Sequence, residues 1–204
     1  MADIIYFSSR KELDASQNVN EFINQCRNEL TAFGSDLAFD ENTWDITGHI
    51  HLPGKTKKVN AIFSCFDAAR MNNSCPAMSQ DFLPFAKAYF RYMHAHRSTK
   101  VIGFRLTALR ALDHTLCARG MNGNISKVTH DVLDQACSLI NESYSQGVAV
   151  KIAGQLELLS NFLIAKNFVD MKSKWLQPLK RPRDLGIRVG KSADEARLKK
   201  MPSA

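Results

Sequence analysis

Hydrophobic and polar positions change period twice along this chain, and each change predicts an element. Between residues 18 and 33, apolar side chains fall at Val19, Phe22, Ile23, Cys26, Leu30 and Phe33. That spacing of three and four is one face of a helix, which Asn18 opens and Gly34 stops. From Asn42 the period becomes two. Trp44, Ile46, Ile50 and Leu52 share one side, and Asp45, Thr47, His49 and His51 the other. Alternation of this kind predicts a half-buried strand. Pro53, Gly54 and Lys55 then form a turn, and VNAIFSCF (59–66) reads as the return strand. A short strand at residues 4–7 is expected to pair with this hairpin. Residues 1–76 are therefore read as a small α+β domain.

Asn72, Asn73, Ser74, Cys75 and Pro76 read as a loop and mark the boundary. Beyond it the helical period returns four times. SQDFLPFAKAYFRYMHAH follows Ser79, a residue type that caps helix starts. The second helix opens near Ser98 and Thr99, continues through FRLTALRALDHTLCARG and stops at Gly120. The third opens at Thr129 or His130 and the fourth near Ser145. Short polar joins between such helices predict a compact bundle over residues 77–171. Residues 172–204 hold prolines and glycines with few periodic apolar positions, so they read as an extended linker.

Charge sharpens this division. Of the 204 residues, 1–165 hold 16 Lys and Arg against 16 Asp and Glu. Residues 166–204 hold 11 against 4, so they carry the whole net charge of +7. A neutral body with a basic extension predicts a polyanionic partner. No secretory signal is read at the N-terminus and no apolar run long enough to cross a bilayer, so an intracellular chain without a membrane partner is expected. The five cysteines are odd in number and lack C-x-x-C spacing, which predicts free thiols, mostly buried.

Candidate chemistry is sparse. His49 and His51 alternate on the polar side of a strand, and His94, Ala95, His96 and Arg97 spell H-x-x-R. Neither pattern brings further ligand types beside it, so no metal, cofactor or catalytic residue is assigned. The basic and polar residues at two helix starts say more. Ser98, Thr99, Lys100 and Arg105 open the second helix of the bundle, with Arg110 further along. Ser145, Gln146, Lys151 and Gln155 open the fourth. Helix starts attract phosphates through free N–H groups and the dipole, and these residue types hold DNA backbone or read base edges.

Taken in order, FLPFAKAYFRYM, RSTKVIGFRLTALRAL, ISKVTHDVLDQACSLI and YSQGVAVKIAGQLELLSNFL resemble the core-binding domain of tyrosine recombinases, the phage-type integrases. The flanking stretches 18–47 and 174–203 look like those that border this domain in a bacterial integrase subgroup. The resemblance implies a SAM-like four-helix domain that clamps one side of a double-stranded DNA site. It also implies contact with other recombinase protomers, and a bacterial cytoplasmic, nucleoid-associated location. It assigns DNA contacts to Ser98, Thr99, Lys100 and Arg105, to Ser145, Gln146, Lys151 and Gln155, and to Lys180, Arg181 and Arg183 of the linker. Gly147 and Val148 stand where the family often has Ser or Thr. The family's tyrosine, arginine, lysine and histidine catalytic set belongs to a later domain, so this chain is expected to bind without cutting. Two other readings are a protein–protein module and a metal-dependent nuclease using His49, His51, His94 and His96.

Overall fold

The computed structural model describes residues 6–50, 58–66, 76–96 and 102–181. Within them the chain is mainly helical, with one two-stranded antiparallel sheet. Helix α1 spans Ala15–Asn28. It starts earlier than the apolar pattern predicts, because Asp14 and Gln17 form a capping box: each side chain bonds the other's main chain. Asn18 lies inside the helix, fully buried, and accepts a bond from the Arg10 amide while donating to the Arg10, Leu13 and Asp14 carbonyls. The helix also ends earlier, at Asn28 rather than near Gly34. Arg91 explains this. Its guanidinium donates to the carbonyls of Cys26, Arg27, Ala32 and Gly34 at 2.9 to 3.3 Å. The last-turn carbonyls and the following loop are thus satisfied by a side chain from another helix. Phe33 and Gly34 take positive φ there.

Strands β1 (Thr43–Asp45) and β2 (Asn60–Ile62) pair antiparallel, Trp44 opposite Ala61. The alternation in burial holds through Ile46, Thr47 and Ile50, yet the ladder is only three residues long. Asp45 accepts from both the amide and the hydroxyl of Thr47, at 3.0 and 2.6 Å, and folds the chain into a 3-10 turn at Thr47–His49. Local bonds of this kind compete with a ladder. Leu52, the turn at 53–55 and the expected strand residues 4 and 5 lie outside the described residues.

Four helices follow: α2 (Leu83–His96), α3 (Ile102–Ala118), α4 (His130–Ser143) and α5 (Gln146–Ala165). Thr129 caps α4 as its sequence suggests. Ser79 instead precedes α2 by one turn, its amide and hydroxyl both donating to the Asp113 carboxylate on α3. Gly120 turns the chain out of α3 with φ +70. Helices α3, α4 and α5 pack on one another, and α1 packs on α2. Helix α5 is long and apolar enough to cross a membrane by length and composition alone (mean hydropathy 1.4). Here its apolar side chains Ile152, Leu156, Leu159 and Leu163 are core residues.

The core runs across the boundary drawn at residue 76. Phe22 of α1 lies within 5.2 to 6.2 Å, ring to ring, of Phe7, Phe85, Tyr92, Phe162 and Phe168. The first part of the basic segment is also packed. Trp175 is buried, and its indole N–H donates to Asp134 at 2.8 Å.

Candidate nucleic-acid interface

The packed segment 172–181 decides where the basic residues go. The His130 imidazole bonds the Ser173 carbonyl at the start of α4, and Trp175 bonds Asp134 one turn on. The Gln177 amide then donates to Glu157 of α5 (3.3 Å), and the Gln146 side chain donates to the Lys180 carbonyl (3.3 Å). These four contacts take the chain from the start of α4, along the α4–α5 hairpin, to the first residue of α5. Lys180 and Arg181 are thereby delivered, exposed, to the N-terminal end of that helix.

Ser145 is the residue before α5 and makes no side-chain capping bond. The first turn of a helix presents backbone N–H groups and the positive end of its dipole. Lys151 lies one and a half turns in, exposed, with its ammonium 5.6 Å from the centroid of the Phe104 ring. That cation–π contact ties α5 to the first turn of α3. The two helix starts singled out in the sequence therefore lie side by side. Gln155, one turn beyond Lys151, is half-buried.

Ser145, Gln146, Lys180 and Arg181 are thus exposed at the start of α5, and Lys151 is exposed further round that helix, beside the opening of α3. Ser98, Thr99, Lys100 and Arg183 lie outside the described residues. Arg105 stands apart from the exposed group. It is 5% exposed and turned inward, near Tyr89 and His94 of α2. Burial holds its guanidinium below the ordinary arginine value. Its Nε and one terminal nitrogen have no hydrogen-bond acceptor among the described residues. Arg110 is buried too, and donates to the Ile62 carbonyl at 2.6 Å.

The histidines are mostly packing residues. His94 stacks on Phe33 (4.2 Å) and His96 on Tyr92 (4.0 Å), and His96 Nδ1 bonds the Tyr92 carbonyl. His51 and Arg97 lie outside the described residues. Among the described residues no group of three or more His, Cys, Asp and Glu is placed to hold a metal. Cys26 and Cys137 are buried, and burial raises both thiols, Cys137 to about 11. Cys117, against expectation, is exposed, because it follows the solvent side of α3 near its end.

Two contributors were not singled out in the sequence: Phe104, which seats Lys151, and Trp175, which anchors the basic segment. Each is an aromatic in a polar neighbourhood, a signal too common to single either out. The described residues thus define a mainly helical protein in which one helix start lacks a side-chain cap and has exposed basic and amide side chains near it. No family model matches the chain, and neither a curated protein nor a solved structure matches it.

Proposed function

We propose that this chain holds double-stranded DNA through the face built by the starts of α3 and α5 and by residues 180 and 181, as the N-terminal and core-binding part of a tyrosine recombinase. Helices α2 to α5 make the SAM-like four-helix unit of that reading. The chain supplies binding and positioning, and other protomers on the same DNA are its further partners. The observation that carries this is the route of residues 172–181, which brings Lys180 and Arg181 to the α5 start where Ser145, Gln146 and Lys151 already lie. A phosphate diester backbone is the chemistry such a face recognises: point charges, amide donors and a helix dipole together.

Fluorescence anisotropy with a labelled duplex tests it. Lys151→Glu is expected to weaken duplex binding about tenfold, because a phosphate-facing cation becomes an anion. Unchanged affinity would remove α5 from the interface.

A further inference from the structure

Residues 174–180 alternate in burial. Trp175 is buried and Gln177 and Leu179 are half-buried, while Lys174, Leu176, Pro178 and Lys180 are exposed. A period of two belongs to an extended chain with one side turned in and the other turned out. The contacts require the same conformation. The Gln177 amide donates to Glu157, and the Lys180 carbonyl accepts from Gln146. Those two positions lie eleven residues apart on α5, or about 16 Å along its axis. Only three residues lead from Gln177 to Lys180, and three extended residues span at most about 11 Å. This stretch therefore runs nearly straight, and the Glu157 and Gln146 side chains make up the remaining length. Pro178 adds a fixed φ and keeps Gln177 extended.

The inner side of the segment is tied down. The Trp175 indole bonds Asp134, the Gln177 amide bonds Glu157, and the Leu179 amide donates to the Gln177 side chain at 2.8 Å. Leu176 stands between two of these anchored residues and is 71% exposed. Its position is thus set before any partner arrives. Lys174 and Lys180 flank Leu176 and Pro178 in the same outward row. From Lys172 to Arg181 the chain holds four cations and no carboxylate. The two carboxylates beneath it, Asp134 and Glu157, are already engaged by its inner side.

An apolar tip between cations, on a straight and anchored segment, fits a polyanion with an apolar interior within reach. One leucine is too little apolar area to hold a lipid surface. Duplex DNA suits it better: phosphates line both walls of the minor groove, and Leu or Pro can enter between the stacked bases at its floor. The row also leads directly into Lys180 and Arg181 at the α5 start, on the face that the DNA-holding reading uses.

We propose that residues 174–180 lie across the minor groove of the bound duplex, with Leu176 inserted as a wedge at one base step and Lys174 and Lys180 on phosphates to either side, so that binding kinks the DNA. This rests on the DNA-holding reading. Unstacking one step opposes binding, and the additional contacts of a bent duplex offset it. Pyrimidine–purine steps such as TA kink most readily and are the preferred place for the wedge.

The test uses the full chain and a short duplex of alternating TA steps with donor and acceptor dyes at its ends. Energy transfer between the ends reads bending, and anisotropy of the same duplex reads binding. The parent chain is expected to raise energy transfer, as a kink of about 20 to 90° would. Leu176→Ala is expected to lose most of that rise while weakening affinity by no more than about threefold, because unstacking and the contacts it permits are lost together. Leu176→Met, another apolar wedge, is expected to keep the rise. Leu176 is exposed, so neither change disturbs the core. A parent chain that binds without bending the duplex overturns the wedge and leaves the DNA-holding reading standing. Bending that survives Leu176→Ala also overturns the wedge. If sedimentation shows self-association that Leu176→Ala abolishes, and the duplex stays straight, Leu176 belongs to a contact between copies and the wedge falls. Absence of duplex binding by the parent removes the DNA-holding reading and the wedge together.

Discussion

Gly123 shows how little room single residues have. It takes φ +74 in the join between α3 and α4, and a Cβ there would run into the Ser79 hydroxyl and crowd Phe82 and Asp113. Gly123→Ala is expected to cost about 2 kcal/mol, through the positive φ and this close approach, read as a lower urea midpoint with an unchanged slope. His94 gives a second expectation. Burial first, then Arg105, holds its folded-state pKa below the ordinary value of about 6.5. The unfolded chain therefore binds more protons as pH falls below about 6.5, and stability falls with it. His94→Gln is expected to flatten the dependence of the thermal midpoint on pH between 7 and 5. A variant as sensitive as the parent would place the titrating group elsewhere. At this scale the sequence is legible for Gly120 and Thr129, whose roles depend on neighbours along the chain. It is silent on Gly123, whose constraint comes from Ser79 and Asp113.

Elements were legible in proportion to how local their causes are. Helix α5 begins where Ser145 predicts and α4 where Thr129 predicts. The start of α1 was readable as well, since Asp14 and Gln17 spell a capping box, but the apolar period draws the eye to Asn18. Its end was not, because Arg91, some sixty residues away, takes the carbonyls. The hairpin kept its predicted faces and lost its length to the Asp45–Thr47 bonds. The basic segment shows the largest difference. Prolines and glycines made all of 172–204 read as linker, whereas residues 172–181 are packed by Trp175 and Gln177. Trp175→Ala is expected to cost about 3 kcal/mol and to weaken duplex binding together with stability, since it frees Lys180 and Arg181 from the α5 start. Loss of stability with unchanged affinity would separate the segment from the interface.

Across the whole molecule the sequence divides at residue 76, while the core does not. The rings around Phe22 of α1 come from α2, from α5 and from the chain after α5. Such a core predicts one cooperative unfolding transition, and Phe22→Ala is expected to lower it by about 4 kcal/mol without splitting it. Two transitions by calorimetry would show that the α1 part unfolds alone. Periodicity marks which faces are apolar but not which of them meet, so the shared core lay beyond the sequence pattern. The charge pattern carried further. It put the basic excess in residues 166–204, and the packing brings Lys180 and Arg181 of that segment to a helix start that the sequence also marks.

The salt dependence of duplex binding tests that convergence most directly. Each phosphate neutralised contributes about −0.9 to the slope of log affinity against log salt. The full chain is expected to show a steep negative slope. A variant carrying Lys151→Gln, Lys180→Gln and Arg181→Gln together is expected to be shallower by about 2 to 3, with the fold intact. An equal slope in the two proteins would contradict the account and place the DNA-holding face elsewhere on the molecule.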